Sequence, residues 1–243
     1  MKRRFLLLIV FAAWFGFHGI SEARAESTMA CPAGTYDMLD WMTMDSDLRA
    51  SNHMTGSANP LYTEMQPGKF YWTKGGNGYP WDIQLYDSSY VYLWITEYAW
   101  NSPNTYKKFT YNTNLPLAPR CAQAGYPGST IKVPNTTYDI YTDCTHFTRH
   151  TLKQGINQVW GPYTKSFGGS LPNNLKTLVV SYRYNCDSSY GNCNDKEEYY
   201  LTQRYGLAQW VHYTLNSGVY VQQQKSVFNN VTGGGTSPKF ACF

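Results

Sequence analysis

Two stretches of this chain place aromatic rings beside hydrogen-bonding side chains at strand spacing. The first is Gly78–Trp100, "GYPWDIQLYDSSYVYLWITEYAW". It reads as two β-strands around the turn Asp87-Ser88-Ser89, with side chains alternating between faces. One face carries Trp81, Ile83, Leu85, Val91, Leu93 and Ile95. The other carries Asp82, Gln84, Tyr86, Tyr90, Tyr92, Trp94 and Thr96. The second stretch, "GLAQWVHYTLNSGVYVQQQ", repeats the theme around Asn216-Ser217-Gly218. Leu207, Val211, Tyr213, Leu215, Val219 and Val221 form its aliphatic side. Trp210, His212, Thr214, Tyr220, Gln222 and Gln224 form its polar-aromatic side. Three-residue loops predict the pairs Tyr86–Tyr90, Gln84–Tyr92 and Asp82–Trp94 in the first hairpin. In the second they predict Leu215–Val219, Tyr213–Val221 and His212–Gln222.

The chemistry such faces suit is sugar recognition. A sugar offers apolar C–H surfaces for flat rings and many hydroxyls for Asp, Gln and His. Tyr and Trp supply large rigid contact area at low entropic cost. The candidate ligand-binding residues are therefore Asp82, Gln84, Tyr86, Tyr90, Tyr92, Trp94, Trp210, His212, Tyr220 and Gln222. The competing reading is that the rings are packing, since cross-strand aromatic pairs also stabilise sheets, by roughly 0.2–1 kcal/mol each.

Other chemistries leave weaker traces. His146 and His150 form H-x-x-x-H in "THFTRH", but Phe147 stands where a zincin needs Glu. On a strand those two positions lie about 13 Å apart, too far to share one metal. No nucleophile elbow G-x-S-x-G occurs. A glycosidase needs two carboxylates about 5–10 Å apart. Asp82, Glu97, Asp139, Glu197 and Glu198 are the candidates, and nothing in their spacing pairs them. A lyase would draw on His146, Arg149, Tyr182, Arg183 or Tyr184. Asp37, Asp40, Asp45 and Asp47 lack the glycine and terminal Glu of a calcium loop. The sequence calls for no metal and no cofactor.

The ends and composition set the compartment. Lys2, Arg3 and Arg4 precede a short apolar run, Leu6 to Phe17, and the small-x-small site Ala23-Arg24-Ala25. Residues 1–25 thus read as a secretory signal peptide, cleaved after Ala25, with the product secreted or periplasmic. Removing Lys2, Arg3, Arg4, Arg24 and Glu22 brings the formal +4 down to near neutrality. A near-neutral chain has no large footprint for nucleic acid, and no later segment is long enough to insert in a membrane as a helix. Cys31, Cys121, Cys144, Cys186, Cys193 and Cys242 make an even set, as expected for disulfides in an exported chain. Cys186 and Cys193 bracket a short loop, Cys31 and Cys242 could staple the termini, and Cys121 with Cys144 would remain.

What must position these residues is mostly strand. Tyr, Trp, Thr, Asn, Gly and Ser dominate residues 26–243, and helix formers are scarce. Short alternating runs separated by turn residues predict a single mainly β domain. Its expected architecture is an antiparallel β-sandwich, jelly-roll-like, with one or two short helices and disulfide staples. The helices are expected at Tyr36–Arg49 and near Leu152–Val159, and a surface loop at residues 115–129. The expected function is non-catalytic binding of a poly- or oligosaccharide. A polysaccharide-active lyase or hydrolase, or a structural envelope protein, are the alternatives.

Overall fold

A computed structural model of the chain describes residues 30–57, 60–74, 80–99, 106–141 and 145–234. Residues 1–25, read from the sequence as a signal peptide, and Cys144 and Cys242 lie outside them. Strands take up 68% of the described residues and helices 4%, so the protein is mainly β.

The first six long strands form an antiparallel meander. They are β2 (Asn52–Gly56), β3 (Leu61–Gln66), β4 (Lys69–Lys74), β5 (Pro80–Tyr86), β6 (Tyr90–Ala99) and β7 (Tyr106–Pro119). β10 (Thr136–Tyr141) and β11 (Phe147–Leu152) extend it beyond β7. A second meander runs β12 (Gly155–Lys165), β13 (Leu175–Cys186), β14 (Cys193–Thr202), β15 (Gly206–Asn216) and β16 (Val219–Gly233), with β9 (Thr130–Val133) on its outer edge. A short ladder of β1 (Thr35–Asp37) and β8 (Cys121–Gln123) stands apart.

β16 belongs to both meanders. Val219–Val227 pairs with β15, and Phe228–Gly233 pairs with β2 with a bulge between Phe228 and Asn230. The two layers are therefore continuous along one edge. On the other side Asn157 Nδ2 donates to Pro116 O at 2.7 Å, which ties β12 to β7. Jelly-roll likeness stops at the two packed layers. A jelly roll interleaves its strands between sheets, whereas here chain neighbours are almost always sheet neighbours.

One core fills the space between the layers. Phe70, Trp72, Val91, Leu93 and Leu115 meet Leu178, Val180, Tyr199, Leu201 and Phe228. Trp72 and Tyr199 stack across it with ring centroids 5.7 Å apart. Helices α1 (Leu39–Met42) and α2 (Ser46–Arg49) follow β1, and α1 lies against β14 and β15. Met42 O accepts the Trp72 indole N–H at 2.9 Å.

The single helix expected over Tyr36–Arg49 is thus divided. Tyr36 pairs with Ala122 in a strand, and Thr43 turns extended at φ −113°, ψ 151°. Asp37 ends the strand and accepts the Leu39 N–H at 3.0 Å, and its carboxylate also holds the buried Arg120 guanidinium. The helix expected near Leu152–Val159 is instead the end of β11 and the start of β12. Ile156, Gln158 and Trp160 point one way and Asn157 and Val159 the other, a period of two rather than 3.6.

Next to their turns both hairpin registers differ by one residue from the expected ones, and beyond a bulge by two. In the first, Tyr86 pairs with Val91, Gln84 with Leu93 and Asp82 with Thr96. The Asp87 carboxylate accepts the N–H groups of Ser89 and Tyr90 at 2.7 and 2.9 Å, which draws Tyr90 into the turn. In the second, Asn216 pairs with Val219 and Leu215 with Tyr220. Ser217 and Gly218 carry φ of +49° and +81°, the two-residue turn whose twist matches the strands. Because strand side chains alternate, a one-residue change moves them to the opposite face.

Cys186 pairs with Cys193 as expected, closing the β13–β14 turn. Cys31 pairs with Cys121, not with Cys242, and so anchors the chain entering β1 to β8.

Candidate functional site

The outward face of the second meander collects the groups that a ligand could use. Its registers align side chains in rows across the strands. One row runs Lys132, Ile156, Arg183, Lys196, Tyr213 and Gln222. The next runs Thr130, Gln158, Ser181, Glu198, Val211 and Lys225. A third runs Trp160, Val179, Tyr200, Gln209 and Val227. Each row exists because neighbouring antiparallel strands place paired side chains on the same side.

A pocket of about 380 Å³ opens on this face, within the size range of small-ligand sites. Trp160, Tyr126 and Tyr220 line it, with Gln158, Arg183, Lys196 and Glu198 as the polar lining. Tyr126 comes from the loop after β8. That loop is docked on β12 by paired backbone bonds between Gly125 and Gly161, 2.8 and 3.0 Å. Its ring stands edge-on to Trp160 at 5.5 Å and is 86% exposed, so it is open to stacking. Trp160 in turn stacks on Tyr163, 5.4 Å away and 13° from parallel.

Glu198 is the hub of the polar groups. It accepts Lys196 Nζ at 2.9 Å, Tyr200 OH at 2.7 Å and Tyr213 OH at 3.2 Å. The Lys196 ammonium also sits over the Tyr213 and Tyr220 rings, at 4.1 and 4.9 Å from their centroids. Burial, and then the Glu198 carboxylate, raise the Tyr200 and Tyr213 hydroxyls above the ordinary tyrosine value. The same two causes push Tyr163 up to about 12. These phenols therefore stay protonated at neutral pH, and Tyr200 and Tyr213 serve as donors to Glu198, not as bases. Lys165 lies 4.8 Å over the Tyr200 ring, and burial with nearby Lys225 lowers its pKa.

The residues singled out in the sequence fall in several places. Tyr220 lines the pocket and Gln222 shares its face, beside Tyr213. Trp210 and His212 point inward, in the rows of Tyr199 and Glu197. Glu197 accepts Tyr199 OH at 2.6 Å and the Trp210 indole at 3.0 Å, while His212 Nε2 lies 3.5 Å from Asp195 without a well-directed hydrogen bond. Asp82 and Gln84 are buried between the layers, and Tyr86 lies under Arg120 at 5.3 Å. Tyr90 and Tyr92 lie together on the outside of the first meander, where Tyr92 OH donates to Asp87 at 2.9 Å. Trp94 packs there against Tyr71, Ile83 and Ile95. The first hairpin's polar-aromatic set is thus shared between two faces, not gathered on one.

Trp160, Tyr126, Gln158 and Lys196 were not singled out from the sequence. Gln158 stood in a segment read as helix, Trp160 just past its end, and Tyr126 in a surface loop. The alternation Ile156, Gln158, Trp160 was the signal available. Among the described residues no group of three or more His, Cys, Asp or Glu could hold a metal ion.

Fold and site together define a disulfide-stapled, two-layer antiparallel β protein with an aromatic, cation-bearing outer face. No family model, curated protein or solved structure matches this chain.

Proposed function

We propose that this is an exported glycan-binding protein that takes a sugar chain on the outer face of β12–β16. The observation that carries the reading is the pocket between Tyr126, Trp160 and Tyr220. It sets rings for stacking beside amide, guanidinium and ammonium donors for hydroxyls. Export is supported by the sequence of residues 1–25 and by the Cys31–Cys121 and Cys186–Cys193 disulfides, which persist in oxidising compartments. No helix among the described residues is long and apolar enough to cross a membrane.

Binding fits this face better than hydrolysis does. Glu198 is the one carboxylate on its strand positions among the described residues, and a glycosidase needs a pair. Tyr200 and Tyr213 are tied to that carboxylate as donors and hold their protons.

The test is retention on immobilised glycans or affinity electrophoresis in polysaccharide gels. Trp160→Ala and Tyr126→Ala should each weaken binding at least about tenfold, near 1.4 kcal/mol, with little change in Tm. Trp210→Ala, which empties an inward position, should lower Tm instead. Retention unchanged in both pocket variants would sink the reading.

A further inference from the structure

Resting on the glycan reading above, we infer that the sugar chain this face takes is acidic, carrying carboxylate or sulfate groups, and that Arg183 is the residue that reads the acid. The outer face is unevenly charged although the chain past residue 25 is near neutral. Its strand positions carry Lys132, Lys165, Arg183, Lys196 and Lys225 against Glu198 alone. Lys132, Arg183 and Lys196 share one row, so successive cations are set across the strands at one-strand or two-strand steps, about 5 and 10 Å.

Within that row the charges are not equivalent. Glu198 is committed to Lys196, with Tyr200 and Tyr213 filling its other oxygen. Lys132 is exposed and rests over the Tyr190 ring at 5.2 Å. Arg183 has no carboxylate partner. Its one side-chain bond goes from Nη2 to the neutral Gln158 Oε1 at 3.0 Å, and its Nε is buried with no partner among the described residues. A half-buried guanidinium without a counter-ion is costly, and an anion arriving from the pocket relieves it. The planar fork of Arg suits two-oxygen recognition of a carboxylate or sulfate, which a lysine point charge does not reproduce. Gln158 fixes one arm of the guanidinium, and Trp160 and Tyr220 flank the same pocket for the sugar ring.

The experiment measures binding of the full chain to four probes at two salt concentrations. The probes are polygalacturonate, dextran sulfate, unmodified dextran and a single-stranded oligonucleotide of matched charge. Wild type should bind at least one acidic polysaccharide tenfold or more tighter than dextran, and which one it is separates carboxylate from sulfate. Arg183→Met keeps the packing stem without the fork and should remove that preference. Arg183→Lys should restore less than half of it, and Lys132→Ala should weaken binding only modestly. Equal affinity for dextran and the acidic chains, or a preference that survives Arg183→Met with unchanged Tm, overturns the acidic assignment and leaves the glycan reading standing. Failure to bind any polysaccharide overturns both. Binding to the oligonucleotide as tight as to the acidic sugars, with the same Arg183 dependence, also overturns both and makes the face a nucleic-acid surface.

Discussion

At the scale of single residues, position in the row decides what a side chain does. Glu197 and Glu198 are neighbours in sequence with opposite lives. Glu197 faces the core and holds Tyr199 and Trp210, whereas Glu198 faces the pocket and holds Lys196, Tyr200 and Tyr213. Asp139 shows how burial and a partner set a pKa. Arg149, opposite it on β11, donates at 2.7 and 2.9 Å and holds the Asp139 carboxyl below its ordinary value, with Asn112 adding a bond. A carboxyl depressed in the folded state contributes stability above its unfolded pKa, and that contribution is lost as pH falls through the folded one. The urea midpoint of wild type should therefore fall more steeply below about pH 4 than that of Asp139→Asn. Superimposable pH profiles would show that the pair adds nothing, as exposed pairs often do, and Arg149 is 59% exposed.

At the scale of elements, turns decide faces. Both hairpins were legible as hairpins, because aliphatic and polar residues alternate on either side of turn residues. Their registers were not legible. Asp87 binds the backbone of Ser89 and Tyr90, and Ser217-Gly218 closes a two-residue loop; each shifts pairing by one. That single step moves Asp82 and Gln84 to the core side with Val91 and Leu93, and a bulge beside Trp94 puts Ile95 on the other side. The Asp37–Arg120 pair is the element-scale staple. Both side chains are buried, and Arg120 also donates to Asp87 O at 3.3 Å, joining β1, β8 and the first hairpin turn. Arg120→Ala leaves the Asp37 charge uncompensated and should cost about 3–5 kcal/mol in chemical denaturation. Asp37→Asn with Arg120→Met should recover much of that loss, and no recovery would place the cost in packing instead.

At the scale of the whole molecule, the layers depend on long-range ties. Trp72 on Tyr199, Asn157 on Pro116 and the dual role of β16 join segments far apart in sequence. The disulfides should differ accordingly. Cys31–Cys121 spans 90 residues and Cys186–Cys193 only 7. On loop-closure entropy alone, replacing the first by serines should cost about 4–5 kcal/mol and the second about 2. Equal losses in Tm would mean that native-state contacts, not chain entropy, set the difference.

Composition and alternation were enough to specify a mainly β, disulfide-bearing chain of paired strands, since strand preference and turn chemistry are local properties. They were enough also to mark Tyr220 and Gln222 as residues of interest. The face on which each side chain stands depends on register, which turns and bulges set one residue at a time. The pocket of Tyr126, Trp160, Arg183 and Glu198 draws on a loop and several strands brought side by side by pairing. The near-neutral net charge of residues 26–243 likewise hides a cationic face, because a sum over a chain carries no information about which charges share a side. Those are properties of the assembled sheet, so tertiary structure alone decides them.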